Sequence, residues 1–205
     1  MNPIDTVLQR EFATVIVPTR EPLEDCPMRK TRLLMAQDGL YIETRQPWGH
    51  YRKLLWESPR HLPYGTLEEV DTFSAALRES HQIIFQDLID EAAKLADQKK
   101  EWAGFIVWSE TEGFHYLPLE LTVLTGIKAK YVIPQLQEGT YLVCDVHSHH
   151  KMRPFFSDED NADDQSRVKI ACVIGKYDPS EETPFTAVFR YCIQGFFFNP
   201  FEEVI

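Results

Sequence analysis

Residues 144–160, CDVHSHHKMRPFFSDED, place histidines, serines and carboxylates together, the side-chain types that hold divalent cations. His147 and His149 close the run TYLVCDVHSH (140–149), which reads as a strand. Side chains two apart on a strand share a face, so both imidazoles can reach one point. Neutral imidazole is a zinc ligand at about 2.0–2.1 Å. A third ligand must come from elsewhere in the fold, and Asp160 is the best candidate. Pro154 favours a turn, Ser157 reads as a helix N-cap, and Asp160 falls in the first turn of the short helix that follows. A carboxylate there gains from the helix N-terminus and can also bind a cation. Two imidazoles and one carboxylate leave the fourth corner of a tetrahedron for water, the coordination of a catalytic zinc rather than a structural one. A plainer reading stays open on these residues alone. Ser157-x-x-Asp160 is a capping signature with or without a metal, and an HxH pair by itself is more often two satisfied or exposed imidazoles.

The surrounding elements must deliver these groups. Thr66 to about Gln98 reads as a helix, opened by a Thr66/Glu69 capping box and carrying Val70, Phe73, Leu77, Ile84, Leu88, Ala92 and Leu95 at helical spacing. His81 falls on the same stripe. WAGFIVWS (102–109) reads as a buried strand paired with GFHYLPLE (113–120), and KYVIP (130–134) is a further short strand. VKIACVIG (168–175), FTAVFRYCI (185–193) and GFFFNP (195–200) complete the set. Upstream, FATVIVPT (12–19), a hairpin about Asp38-Gly39 and HYRKLLWE (50–57) suggest a β-rich N-terminal extension over 1–64 without a strong core of its own. The expected fold class is α+β, a mixed sheet layered on a long helix over 65–205.

The chain has 205 residues, 43% hydrophobic and 26% charged, as for an ordinary folded domain. A net charge of -11 argues against a nucleic-acid partner, because neutralising phosphates needs clustered Lys and Arg. No apolar run approaches the ~20 residues that span a bilayer, and no signal peptide is evident, so a cytoplasmic location is expected. Cys26, Cys144, Cys172 and Cys192 form no CxxC pair and read as free, buried thiols rather than metal ligands or disulfides.

His147-Ser148-His149, seven residues, then Ser157-x-x-Asp160 resembles the JAMM signature of the JAB/MPN zinc metalloproteases. That family also carries a glutamate just after its first long helix and before a strand with an early glycine. KKEWAGFIVW puts Glu101 and Gly104 at that place. The chain departs from the common pattern at His150, where many relatives have proline. More narrowly, HSHH…PFFSDEDNADD and GLYIETRQPWGHYRK…PYG resemble the JAB proteins of bacterial operons that also encode ubiquitin-like, E1-like and E2-like proteins.

The resemblance implies one zinc per chain on His147, His149 and Asp160, with a water at the open corner. Glu101 is then the general base and acid, and Ser157 donates to the developing oxyanion. The implied activity is a deubiquitinase-like peptidase or isopeptidase acting after the C-terminus of a ubiquitin-like protein. That substrate is the expected partner, with E1-like and E2-like proteins of the same operon as further candidates. A catalytically silent scaffold that binds a ubiquitin-like protein, or a hydrolase of another small amide, is the alternative. His150, Phe155 and Phe156 are candidate substrate contacts, one of the two phenylalanines packing inside and the other bordering the groove. Asp145 could orient a ligating histidine or be solvated. Asp158, Glu159, Asp163 and Asp164 read as a solvated helix face, His115 as a satisfied structural histidine, and Trp102, Phe105, Trp108 and Phe196–Phe198 as core.

Overall fold

A computed structural model describes residues 12–124, 129–182 and 184–200, apart from the side chains of 76, 77, 79–86 and 121–131. The chain divides into two compact units between Ala76 and Leu77. Both sheets of more than two strands are mixed, so the class is α/β with strands predominating.

The first unit is a five-stranded sheet in the order β1-β2-β3-β4-β5. Its strands are β1 (Ala13–Ile16), β2 (Lys30–Met35), β3 (Gly39–Gln46), β4 (Gly49–Glu57) and β5 (Val70–Asp71). β1 runs parallel to β2 and the other pairs are antiparallel. The hairpin about Asp38-Gly39 forms as its turn residues predict. Contrary to expectation, this region does have a core of its own. Val17, Leu34, Ala36 and Tyr41 are buried together, with Val15, Leu23, Leu54 and Leu67 against them. Trp48 and Tyr51 stack on the ring of Phe73 at 4.3 and 5.6 Å. Short apolar runs, Val15–Val17, Leu33–Ala36 and Leu40–Ile42, supply this core from strands that are each too brief to announce it alone.

This unit also buries a carboxylate. Glu43 is 1% exposed and accepts from Arg32 at 2.6 Å, from Arg52 at 2.5 Å and from His50 at 2.9 Å. Burial alone would raise its pKa, but the donors from Arg52, Arg32 and His50 more than reverse this and hold it below the ordinary glutamate value.

The helix predicted from Thr66 begins seven residues later, as α1 (Phe73–Ala96). Tertiary pairing takes the intended first turn. Val70 and Asp71 pair with Arg52 and Tyr51 as β5. The Glu69 carboxylate, expected to close a capping box, accepts instead from Leu54 N at 3.0 Å and from Lys53 at 2.9 Å. Phe73, Leu88 and Ala92 of the predicted stripe are buried. Leu77, His81 and Ile84 lie outside the described side chains.

The second unit carries a six-stranded sheet, β13-β12-β11-β10-β6-β7. It comprises β6 (Ala103–Ser109), β7 (Gly113–Pro118), β10 (Thr140–Ser148), β11 (Val168–Gly175), β12 (Thr186–Ile193) and β13 (Phe196–Phe198). A separate hairpin pairs β8 (Leu121–Leu124) with β9 (Ala129–Tyr131). The short helix α2 (Asp158–Asp164) connects β10 to β11, the one parallel pair of this sheet. β11 is buried along nearly its whole length, which explains its continuous apolar sequence. Trp102 and Phe105 are core as expected, whereas Phe196 and Phe197 are each 38% exposed because β13 is a sheet edge.

Glu43→Gln is expected to lower stability by about 3 kcal/mol or more, because two arginines lose the charge they enclose. Below about pH 4.5 the unfolded wild-type chain takes up a proton that folded Glu43 refuses, so wild-type stability falls with acid and the variant's falls less. Urea titrations between pH 3 and 7 measure both; parallel curves for the two proteins would contradict the assignment.

Candidate metal centre

The centre forms where β10 ends. His147 pairs with Ala103 of β6 on one side and Val173 of β11 on the other. Between the two histidines, Ser148 is fully buried. Its Oγ accepts from Trp102 N at 2.8 Å, and its own N–H donates to Trp102 O at 2.8 Å. This reciprocal pair fixes the backbone next to Glu101, so the glutamate is held against the histidine strand. Glu101 is only 7% exposed and lines the same cleft as His147 and His149. Gly104 makes room for this arrangement: a Cβ there would stand 2.6 Å from the Trp102 ring.

Asp160 arrives on α2. Ser157 is the N-cap, and the capping box is complete in both directions. Asp160 Oδ2 accepts from Ser157 N at 2.7 Å and from Ser157 Oγ at 2.6 Å. With Oδ2 engaged, Oδ1 faces His147 Nε2 at 3.6 Å. One donor atom each from His147, His149 and Asp160 lies within 4.8 Å of the others. Tetrahedral ligands at about 2.0–2.2 Å from a common zinc stand about 3.3–3.6 Å apart; His147 and Asp160 already have that spacing, and a bound ion would draw the wider set together.

The electrostatics suit a cation. Burial lowers the pKa of His147, with Asp160 and Asp164 opposing more weakly. Burial also lowers that of His149, and His147 adds to the effect. Both rings are therefore held in the neutral form that ligates metal. His149 Nδ1 is buried without a hydrogen bond of good geometry, although the Arg153 backbone comes close enough to the ring to oppose the lowering. The donor set and this orphaned nitrogen fit a zinc ion. A cleft of about 810 Å³ opens onto the three groups, with Phe155, Ser157 and Ile133 also in its wall.

The remaining candidates divide. Phe155 is 51% exposed and meets the His149 ring edge-on at 4.7 Å, at the cleft. Phe156 also lines the cleft but is less exposed, with its ring 3.9 Å from the Arg190 guanidinium. His150 has left-handed backbone, φ +38°. Its carbonyl accepts from Tyr177 N at 2.8 Å, and Met152 O accepts from Lys176 N at 2.6 Å. The loop thereby continues along the end of β11, where a Cβ at Gly175 would lie 2.4 Å from Met152 O. His115 is satisfied by Gly113 O and Glu112. The four cysteines are free and buried, and burial raises the pKa of each.

One expectation is corrected here, and the alternatives left open for Asp145 resolve to a structural role. Asp164 is 3% exposed, not solvated. Lys169 reaches its Oδ1 at 2.5 Å, and Arg190 reaches its Oδ2 through Nε at 3.1 Å and Nη2 at 2.5 Å. Asp145 orients no histidine; it pairs with Lys169. Burial alone would raise the Asp164 pKa, but Lys169 and Arg190 more than reverse this. Asp158, Glu159 and Asp163 are exposed as expected. The sequence did carry a signal for this network: a lysine and an arginine inside the apolar runs VKIACVIG and FTAVFRYCI. Such residues are rarely buried unless paired.

Residues 81–190, over half of the chain, match the family described as prokaryotic homologs of the JAB domain. The chain belongs to this JAB family. The candidate ligands His147, His149 and Asp160 fall inside the matched segment, and the first unit coincides largely with a second match, residues 2–74, to a domain of unknown function (DUF2016). No curated protein matches the chain. The JAB family is related to the JAMM peptidases and contains inactive members too, so membership supports either a hydrolase of the MPN type or a scaffold. Among the described residues, no helix is long and apolar enough to cross a membrane.

Ser148→Ala is expected to cost about 1–3 kcal/mol in urea unfolding of the metal-free protein, since Trp102 N is left buried without a partner; an unchanged midpoint would contradict the clamp. His150→Pro is expected to destabilise by more than about 1 kcal/mol, because proline fixes φ near −65° and cannot follow this left-handed turn. A thermal melt at or above that of wild type would contradict the left-handed geometry.

Proposed function

We propose that this protein is a zinc-dependent peptidase or isopeptidase that cleaves after the C-terminus of a ubiquitin-like protein. The observation that carries this reading is the convergence of His147, His149 and Asp160 donor atoms within 4.8 Å of one another beside a buried glutamate. When bound, zinc supplies Lewis acidity, polarising an amide carbonyl and making water acidic enough to ionise near neutral pH.

The chain's own groups do the rest. The Glu101 carboxylate takes the proton from the attacking water and returns it to the leaving amine. Its place at the entry to β6, beside the Ser148–Trp102 pair, restricts it to the side of the cleft that the histidines face. Ser157 has two possible tasks. In this state its hydroxyl donates to Asp160 Oδ2 and so orients the ligand. To stabilise an oxyanion, the same hydroxyl must rotate away, leaving Asp160 Oδ2 with the backbone donor from Ser157 N. None of the cysteines enters the reaction, since burial keeps all four protonated at neutral pH. An extended, glycine-rich tail suits the cleft, where main-chain hydrogen bonds hold a peptide while the walls restrict side-chain size. Phe155, in the wall of the cleft, is the substrate contact of this reading, with His150, next in sequence to His149, as a further candidate.

The test uses the purified full chain, zinc analysis and a ubiquitin-like protein fused through its C-terminus to a reporter. Wild type is expected to hold about one zinc and to cleave the fusion. Glu101→Gln should keep the metal and lose cleavage by about 10²-fold or more, while His149→Ala should lose the metal. Tight binding of the ubiquitin-like protein by the zinc-loaded wild type without turnover would establish the scaffold instead. A chain that takes up no zinc would remove the metal centre altogether.

A further inference from the structure

We propose that Arg190 is the positioning residue for the metal ligand Asp160, acting through the whole of α2; this rests on the metal-centre reading. The helix that carries Asp160 has little reason to form by itself. It is seven residues long, DEDNADD, and helices this short do not persist in water. Acidic side chains crowd it throughout, and no basic residue occupies its last turn. Asp163 and Asp164 therefore sit at the end where the macrodipole disfavours negative charge. Its N-terminus is capped by Ser157, but nothing in its own sequence steadies the other end.

Arg190, buried in β12, supplies what the helix lacks. Its guanidinium holds Asp164 Oδ2 through two nitrogens and donates from Nη1 to Asn161 Oδ1 at 2.5 Å. Asn161 directly follows Asp160, and Asp164 lies one turn further on. The Phe156 ring, just before the N-cap, lies over the same guanidinium at 3.9 Å, and the Phe197 ring of β13 at 4.1 Å. One side chain thus grips the loop before Ser157, the residue after Asp160 and the end of the helix. Lys169 reinforces it at Asp164 Oδ1. Rotation or translation of α2 would break several charge-assisted bonds at once, so Asp160 Oδ1 is held at one position relative to His147. Lysine cannot reproduce a planar fork stacked on aromatic rings.

The experiment compares the full-length wild type with Arg190→Lys and Asn161→Ala. Amide hydrogen exchange is followed in the metal-free proteins, and zinc affinity is measured by competition with a chelating dye. In Arg190→Lys, the amides of α2 are expected to exchange at least ~10-fold faster while those of β10 and β11 stay protected. Zinc is expected to bind about 10–100-fold more weakly, and the visible absorption of the cobalt-substituted protein should change with it. Asn161→Ala should move in the same direction by less, and it decides the matter if Arg190→Lys does not fold. Wild-type α2 protection, zinc affinity and cobalt spectrum in a folded variant would overturn the proposal. If the wild type itself takes up neither zinc nor cobalt, the metal-centre reading fails, and the exchange data still decide whether Arg190 holds the helix.

Discussion

The two hydrogen bonds between Ser148 and Trp102 join the strand that presents the histidines to the strand that follows the glutamate. Apart from Asp160 and its cap Ser157, each group of the centre lies one residue from this pair: His147 and His149 on one side, Glu101 on the other. A side-chain period of two makes strand register unforgiving. A slip of one residue between β6 and β10 would turn Glu101 away from the cleft. The irregularity between Leu142 and Cys144 lies at the far end of the same strand pair. It lets the outer part of β10 shift while the histidine end keeps its register.

Each unit encloses charge, with different consequences. In the first, Glu43 gathers Arg32, Arg52 and His50 from adjacent strands, tying β2, β3 and β4 together on one face. In the second, two carboxylates and two cations, Asp145, Asp164, Lys169 and Arg190, form one linked set, and all but Arg190 contribute to the wall of the cleft. Buried ion sets are costly to desolvate and contribute little net stability compared with apolar packing. Their directional bonds instead select one arrangement among many of similar energy. For the second set, that arrangement fixes a helix whose composition would otherwise oppose it.

Much of the centre was legible because it is local. The histidines two apart on a strand, the serine cap and the aspartate in the first turn are each defined by spacing along a few residues. The same holds for the strands of the second unit, whose burial shows directly as apolar runs. What could not be read was set by partners remote in sequence. Glu69 looks like a helix cap until β4 presents Leu54 N and Lys53 to it. Asp164 looks like one more solvated acid until Lys169 and Arg190 close on it. The core of the first unit was missed because its apolar runs, Val15–Val17, Leu33–Ala36 and Leu40–Ile42, are each short, and only their pairing across strands assembles them.

The segment between the second histidine and the helix is tethered along its first half. His149 N–H bonds to Ile174 O, the carbonyls of His150 and Met152 receive the amides of Tyr177 and Lys176, and Gly175 leaves no gap beneath. Such a stretch has no slack for an inserted or deleted residue, because any change of length would tear it from the strand it follows. Only from Phe155 onward does the path leave that support. Diversification of what this cleft accepts is thereby channelled into side-chain replacement at a few surface positions, with the length of the connection held constant.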